Sequence, residues 1–331
     1  MEQLLALPKA ELHLHLEGAP RWSTLRAAHH RHYGTILPEQ PPWFAPEFRF
    51  NHFREFQQLF SQYIHPWLRT PNGYAEVIQD VVDSLIAQNV RYAEINFAPS
   101  MAAQHGADLP QVWELLAAAC DRAQAQNCII RIFVGLMRPQ GVDAAIAWVN
   151  ATRSLAIVSG YDLQGDEVGW PAEHFQPALA LAREADKRIK VHAGEMTGPE
   201  SIRNAVEQLG ITQIGHGVSA IHDPAVVELL RDRQVTVEMC PTSNERLQNV
   251  PSYQAHPLLA LDAAGVAVTV NSDDPTFFGV TLTEELTRLM TERQVAIADI
   301  KRWTRNAFQA ALLDADTRQR FITELDHAPD A

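Results

Sequence analysis

Short runs of apolar and β-branched residues recur along the chain at Glu11–Leu16, Val90–Phe97, Ile129–Leu136, Ile157–Leu163, Ile189–His192, Thr212–His216, Val235–Cys240 and Val266–Asn271. Each is too short for a helix and reads as a strand. From the second onward, stretches with helical spacing separate them, among them Leu109–Ala125, Ala172–Ala185, Ser201–Leu209, Ala225–Arg233 and His256–Ala264. Near-continuous apolar strands alternating with amphipathic helices predict a parallel sheet covered by helices. Eight such strands in 331 residues predict an α/β fold of the (β/α)8 barrel type, with residues 1–331 forming one domain. The runner-up is an open doubly wound sheet. No Gly-x-Gly-x-x-Gly follows the first run, so its dinucleotide-binding version loses its main support.

One connection breaks the rhythm. About 70 residues separate the first two runs, and they carry helical patterns at Trp22–His32, His52–Ile64 and Tyr74–Gln88 around a Pro-rich join, Pro38-Glu39-Gln40-Pro41-Pro42. An excursion of this length (residues 19–88) leaving the C-terminal end of the first barrel strand has to cross the mouth where barrels keep their active sites, so it reads as a lid or pocket wall. Beyond Thr281 the pattern gives two or three closing helices, and residues 326–331 read as a frayed tail.

The chemistry collects at the strand ends. His13-Leu14-His15, His192-Ala193-Gly194-Glu195, Gly215-His216-Gly217 and Asn271-Ser272-Asp273-Asp274-Pro275 each follow or close an apolar run. His13 and His15 are two apart on a strand, so both imidazoles share a face and can grip one ion. Asp273 and Asp274 are adjacent carboxylates that repel unless a cation or a proton occupies them. His216 between two glycines implies close backbone approach and an exposed ring. Alone, each piece has an ordinary explanation, such as paired core histidines, a helix cap or a turn histidine. Four such pieces at the ends of runs one, five, six and eight form a scattered set of His and Asp donors of the kind a barrel uses for a catalytic metal, with a Glu, a His and an Asp left for proton chemistry.

Composition narrows the partners. The formal charge of −13 argues against nucleic acid and anionic membranes, which both call for clustered Lys and Arg. Three cysteines without a Cys-x-x-Cys point away from a disulfide framework and toward a reducing cytoplasm. No apolar stretch reaches transmembrane length, and Met1-Glu2-Gln3-Leu4-Leu5 lacks the basic region of a secretory signal.

Taken in order, Pro8-Lys9-Ala10-Glu11-Leu12-His13-Leu14-His15-Leu16-Glu17-Gly18, Val191-His192-Ala193-Gly194-Glu195, Ile214-Gly215-His216-Gly217, Glu238-Met239-Cys240-Pro241-Thr242-Ser243-Asn244 and Val270-Asn271-Ser272-Asp273-Asp274-Pro275 resemble the adenosine deaminase family of the amidohydrolase superfamily, from about residue 6 to 310. The resemblance implies one Zn²⁺ held by His13, His15, His192 and Asp273. It implies Glu195 as the proton shuttle at purine N1, His216 as the group that orients the attacking hydroxide, Asp274 at N7 and Gly165 as a backbone donor to N3. The run Val158–Leu163 offers no lysine to bridge a second metal. The reaction implied is hydrolytic replacement of the 6-amino group of an aminopurine, with release of ammonia. The other zinc-deaminase design, His-x-Glu with Pro-Cys-x-x-Cys, is absent.

Substrate identity is less sharply written. Many adenosine-specific members carry Asp where this chain has Glu17, near the sugar; members with Glu there act on adenine or 6-aminodeoxyfutalosine. Phe56 and Phe60, at helical i, i+4 spacing in the insert, either wall the base or pack the insert's own core. The expectation is a small-molecule aminopurine, first a nucleoside because the insert suggests room beyond a bare base, with 6-aminodeoxyfutalosine or adenine as alternatives. More remote alternatives are another amidohydrolase reaction and a non-catalytic purine-binding protein. The sequence sets no oligomeric state.

Overall fold

The computed structural model describes residues 2–329. Eight parallel strands run in chain order: β1 (Lys9–His15), β2 (Val90–Phe97), β3 (Ile129–Met137), β4 (Val158–Gln164), β5 (Arg188–Ala193), β6 (Gln213–His216), β7 (Thr236–Met239) and β8 (Ala267–Val270). The chain just past β8 closes the ring against β1. His15 N donates to Asp273 O at 3.0 Å and Asp273 N to His13 O at 3.1 Å. The fold is a (β/α)8 barrel, and the apolar runs lie within a residue or two of its strands.

Along the strands, side chains alternate between two environments. Leu12, Leu14, Ile95, Val134, Leu163, Val191, Ile214, Val237 and Val268 are buried in one continuous apolar core with residues of the surrounding helices. The intervening residues meet across the barrel. Asn96 of β2 donates to Asp162 of β4 at 2.8 Å, Gln213 of β6 to Glu94 of β2 at 3.0 Å and to Glu238 of β7 at 2.8 Å, and Lys190 of β5 lies 3.1 Å from Glu94 and 3.3 Å from Glu238. Bonds between non-neighbouring strands can only run through the interior. The strands are therefore not uniformly apolar, as the sequence pattern suggested. Their axis is lined by a buried polar network in place of the usual layers of branched aliphatics. Lys190 keeps its charge there: burial opposes it, but Glu238, Glu94 and Asp162 outweigh that and raise its pKa.

The insert contains the helix Trp22–Tyr33, the helix Phe53–Leu59 continued by a π-helical turn Phe60–Ile64, the short helix His65–Leu68, and the helix Gly73–Ala87. It is fastened over the barrel mouth. Phe56 stacks on Phe278 with centroids 5.1 Å apart, and Phe60 meets Phe277 at 4.5 Å. Arg246, in the short helix after β7, donates to the carbonyls of Ala45 and Phe48. Three helices close the chain, Leu282–Arg293, Ile297–Ala310 and Ala315–His327. The expected fray from 326 starts too early, because Asp326 and His327 still belong to the last helix and Asp326 pairs with Arg305. Residues 330 and 331 lie outside the described residues. No helix of the described residues is long and apolar enough to cross a membrane, and Cys120, Cys128 and Cys240 are free.

Candidate active site

The strand ends bring the singled-out side chains together. His13 and His15 leave β1 on its inward face, His192 comes from the end of β5, and Asp273 follows β8. His13, His15 and His192 present ring nitrogens within 4.8 Å of one another. His15 Nε2 lies 3.3 Å from His13 Nε2 and 3.2 Å from Asp273 Oδ1, while His13 Nε2 lies 3.6 Å from the same oxygen. A tetrahedral ion with bonds of ~2.0–2.1 Å holds its donors roughly 3.3–3.4 Å apart, so these spacings match such a site.

Carboxylates behind the rings set their orientation. Glu238 Oε2 is 3.0 Å from His13 Nδ1, and Asp162 Oδ1 is 3.1 Å from His192 Nδ1. Each turns its ring so that Nε2 faces the cluster, the carboxylate–histidine arrangement that orients metal ligands. Burial holds His192 down at about 4, a neutral ring with a free lone pair. At His13 burial works against charge, yet hydrogen bonds with Asp273 and Glu238 push it up to about 10. This corner of the site is built to hold a positive charge.

His216 is oriented by a chain of directional bonds. The Leu258 amide donates to His256 Nδ1 at 3.2 Å, so His256 carries its proton on Nε2 and gives it to Asn244 Oδ1 at 3.0 Å. The Asn244 amide nitrogen then donates to His216 Nδ1 at 3.1 Å. That leaves the His216 proton on Nε2, which points to Glu195 Oε2 at 3.6 Å and Asp273 Oδ2 at 4.0 Å. His216 and Asp273 both sit at positive φ, 62° and 64°. Such left-handed backbone costs a non-glycine residue on the order of 1–2 kcal/mol and gathers at functional sites.

Glu195 is buried, and among the described residues its side chain has one hydrogen bond, from Asn249 Nδ2 to Oε1 at 3.1 Å. Burial, with the nearby Asp273 and Glu167, pushes its pKa well above the usual carboxylate range. Asp274 is likewise raised, by burial and by Asp273, and its Oδ1 has no hydrogen-bond partner among the described residues. Gly18 makes room for it, since a Cβ there would lie 1.6 Å from Asp274 Oδ1. Gly215 does the same for the cluster, where a Cβ would meet His13 Cε1 at 2.9 Å.

His15, His192, Glu195, His216, Asp273 and Asp274 open on one cavity of about 250 Å³, with His13 lying deeper. Phe53, Phe56, Phe60 and Leu247 give it an apolar wall; Glu17, Gln57, Ser61, His65 and Gln164 make other parts polar; Gly165, at φ +90°, also lines it. Phe56 and Phe60 thus do both things expected of them, packing the insert on Phe277 and Phe278 while facing the cavity. Glu17 is buried, its Oε1 accepting from the Ala98 amide at 3.1 Å, and burial pushes it up to about 7.

Sequence reasoning assigned no part to Asp162, Glu238, Asn244, His256, Asn249 or Glu167. Glu167 ties the loop after β5, accepting from the amides of Met196 at 3.3 Å and Thr197 at 3.1 Å. A single charged residue inside an apolar run, as with Asp162 and Glu238, was the available signal.

The adenosine deaminase family model matches residues 8–328. An aminodeoxyfutalosine deaminase of Streptomyces avermitilis is 32% identical, over 98% of this chain and 91% of its own. An adenine deaminase of Rhizobium meliloti is 33% identical, over 96% of this chain and 98% of its own. Among solved structures, an adenine deaminase from Arthrobacter aurescens superposes with a TM-score of 0.88 at 26% identity, covering 97% of this chain and 98% of that one. With similarity running the length of the barrel and through every strand end described above, the chain belongs to the adenosine deaminase family, hydrolases that act on C–N bonds of purine-type substrates.

Proposed function

We propose that the protein is a zinc-dependent aminohydrolase that replaces the 6-amino group of an aminopurine nucleoside with oxygen and releases ammonia. The observation that carries this reading is that a His/Asp donor cluster and two carboxyls without a cationic partner, Glu195 and Asp274, share one cavity with an aromatic wall. His13, His15, His192 and Asp273 would hold one zinc ion. Bound there, zinc supplies an acidified water as the nucleophile at neutral pH.

The chain's own groups supply the rest. Glu195, holding its proton by burial, donates it to N1 as the C6–O bond forms, so that negative charge never builds on the ring. His216, its Nε2 proton fixed through Asn244 and His256, hydrogen-bonds the attacking oxygen. Asp274, which lines the cavity, holds N7, and the backbone at Gly165 holds N3. Phe56 and Phe60 wall the base and exclude water around it.

The nucleoside reading rests on size and polarity. The cavity measures about 250 Å³, and a bare base would leave its polar residues Glu17, Gln57, Ser61 and His65 unmatched. No Lys or Arg lines it, so a neutral sugar-like group fits better than a phosphate. A second reading, adenine itself, is favoured by the buried Glu17 and by the similarity to adenine deaminases. The free cysteines suit a reducing cytoplasm. The test is kcat/KM for adenosine, deoxyadenosine, adenine, 6-aminodeoxyfutalosine and AMP with the zinc-loaded protein. A nucleoside should be the best substrate and AMP a poor one; preference for adenine would select the second reading, and turnover of none would overturn both.

A further inference from the structure

At the opposite end of the barrel, where the strands begin, a second cavity of about 670 Å³ opens beside the starts of β3, β4, β5 and β6. Its lining includes Arg131 of β3, Arg183 in the helix Gln176–Glu184, Lys187, and Arg188 at the start of β5, against one acid, Asp186. In a chain with 40 acidic and 27 basic residues, cations find partners readily. Arg21 pairs with Asp80, Arg122 with Asp83 and Arg302 with Asp262. Among the described residues, none of these four cations has a carboxylate oxygen within 4.0 Å.

Backbone carbonyls hold three of them in place. Arg131 Nε donates to Leu312 O at 3.3 Å, Arg183 Nη2 to Leu209 O, and Lys187 Nζ to Val158 O at 2.6 Å and Leu155 O at 3.3 Å. Tying loops is the ordinary explanation for such residues, and it accounts for one nitrogen of each. It leaves both terminal nitrogens of Arg131 and the Nε and Nη1 of Arg183 unused, and it does not touch Arg188, whose side chain makes no hydrogen bond within the described residues. Anchored guanidiniums with spare N–H groups are forks for bidentate phosphate oxygens. Ser159 and Thr212 add hydroxyls to the same walls.

We propose that this cavity is a binding site for a multiply charged anion carrying two or more phosphates, either an inorganic polyphosphate or the phosphate chain of a nucleotide. Four cations against one acid exceed what a single phosphate neutralises, and the space accommodates a larger ligand. The site stands apart from the reaction, because the catalytic cavity opens at the other end of the strands.

The test is calorimetric titration of the full zinc-loaded chain with sodium tripolyphosphate and, separately, with UTP, which brings no aminopurine to the catalytic cavity. Work at about 0.15 M salt screens diffuse surface charge over ~8 Å. One site with sub-millimolar affinity is expected; tighter UTP binding identifies a nucleotide, equal affinity an inorganic chain. Arg188→Gln should weaken binding at least ~10-fold, the value of one charge-assisted hydrogen bond, while Arg302→Gln leaves it unchanged. Arg183→Gln, at an exposed position, repeats the test should Arg188→Gln impair folding. Absence of binding, or binding that survives both substitutions in folded protein and so reflects chelation of zinc or another surface, overturns the proposal.

Discussion

Glu195→Gln separates proton transfer from every other job of the site. Among the described residues the Glu195 side chain has one hydrogen bond, from Asn249 at 3.1 Å, and its second oxygen lies 3.6 Å from His216 Nε2. A glutamine of nearly the same shape keeps an oxygen for Asn249 and an N–H for the purine, so substrate binding should survive. Zinc binding should survive too, because Glu195 is not among the four proposed ligands. The variant lacks a transferable proton. General acid–base groups contribute ~10²–10⁴ in rate, so kcat should fall by that factor, equivalent to about 3–5 kcal/mol of barrier. Zinc content, substrate affinity and kcat measured on one preparation give the answer. If Glu195 instead serves only to hold the loop through Asn249, Asn249→Leu should reproduce the loss and both variants should melt early. A fully zinc-loaded Glu195→Gln protein turning over within ~10-fold of wild type would refute the proton-shuttle assignment.

The other consequences are equally concrete. Asp162→Asn and Glu238→Gln remove the carboxylates behind His192 and His13, and competition with a chelator should show zinc affinity lowered ~10–100-fold in each. Gly18→Ala drives a methyl group into Asp274 Oδ1, 1.6 Å away; kcat/KM should drop at least ~10-fold, and retained activity would show that Asp274 is free to move. His256→Phe touches neither metal nor substrate, yet it releases Asn244 and with it the His216 tautomer; kcat should fall with KM unchanged, and Asn244→Leu added to it should cost little more. Lys190→Met leaves the buried Glu94 without its cation and Glu238 with His13 alone, and denaturant unfolding should register a loss of about 3–5 kcal/mol.

The two periodicities that local sequence carries, helix and strand, were enough to outline the barrel. The β2 run Val90–Phe97 was delimited as the structure has it, and His13-x-His15 could be placed on one face because strand side chains alternate. The helix Gly141–Thr152, between β3 and β4, was not singled out; it carries apolar residues around most of its circumference, which blurs a helical stripe. Cross-barrel partners were out of reach for a different reason. Glu94, Lys190, Gln213 and Glu238 sit as single polar residues in four separate apolar runs, and only closure of the sheet makes them neighbours. The relay from Leu258 to His216 depends on ring orientations that no spacing rule encodes, so His216 was visible as a candidate while the groups that set its proton were not.

The central claim is that one zinc ion, on His13, His15, His192 and Asp273, is required for deamination of a 6-aminopurine. Adding zinc stepwise to metal-free protein while recording both bound metal and ammonia release from the best substrate tests it most directly. Activity should be absent at the start, rise in proportion to bound zinc and level off at one ion per chain. Full activity without metal, or a plateau only at two ions, would contradict it.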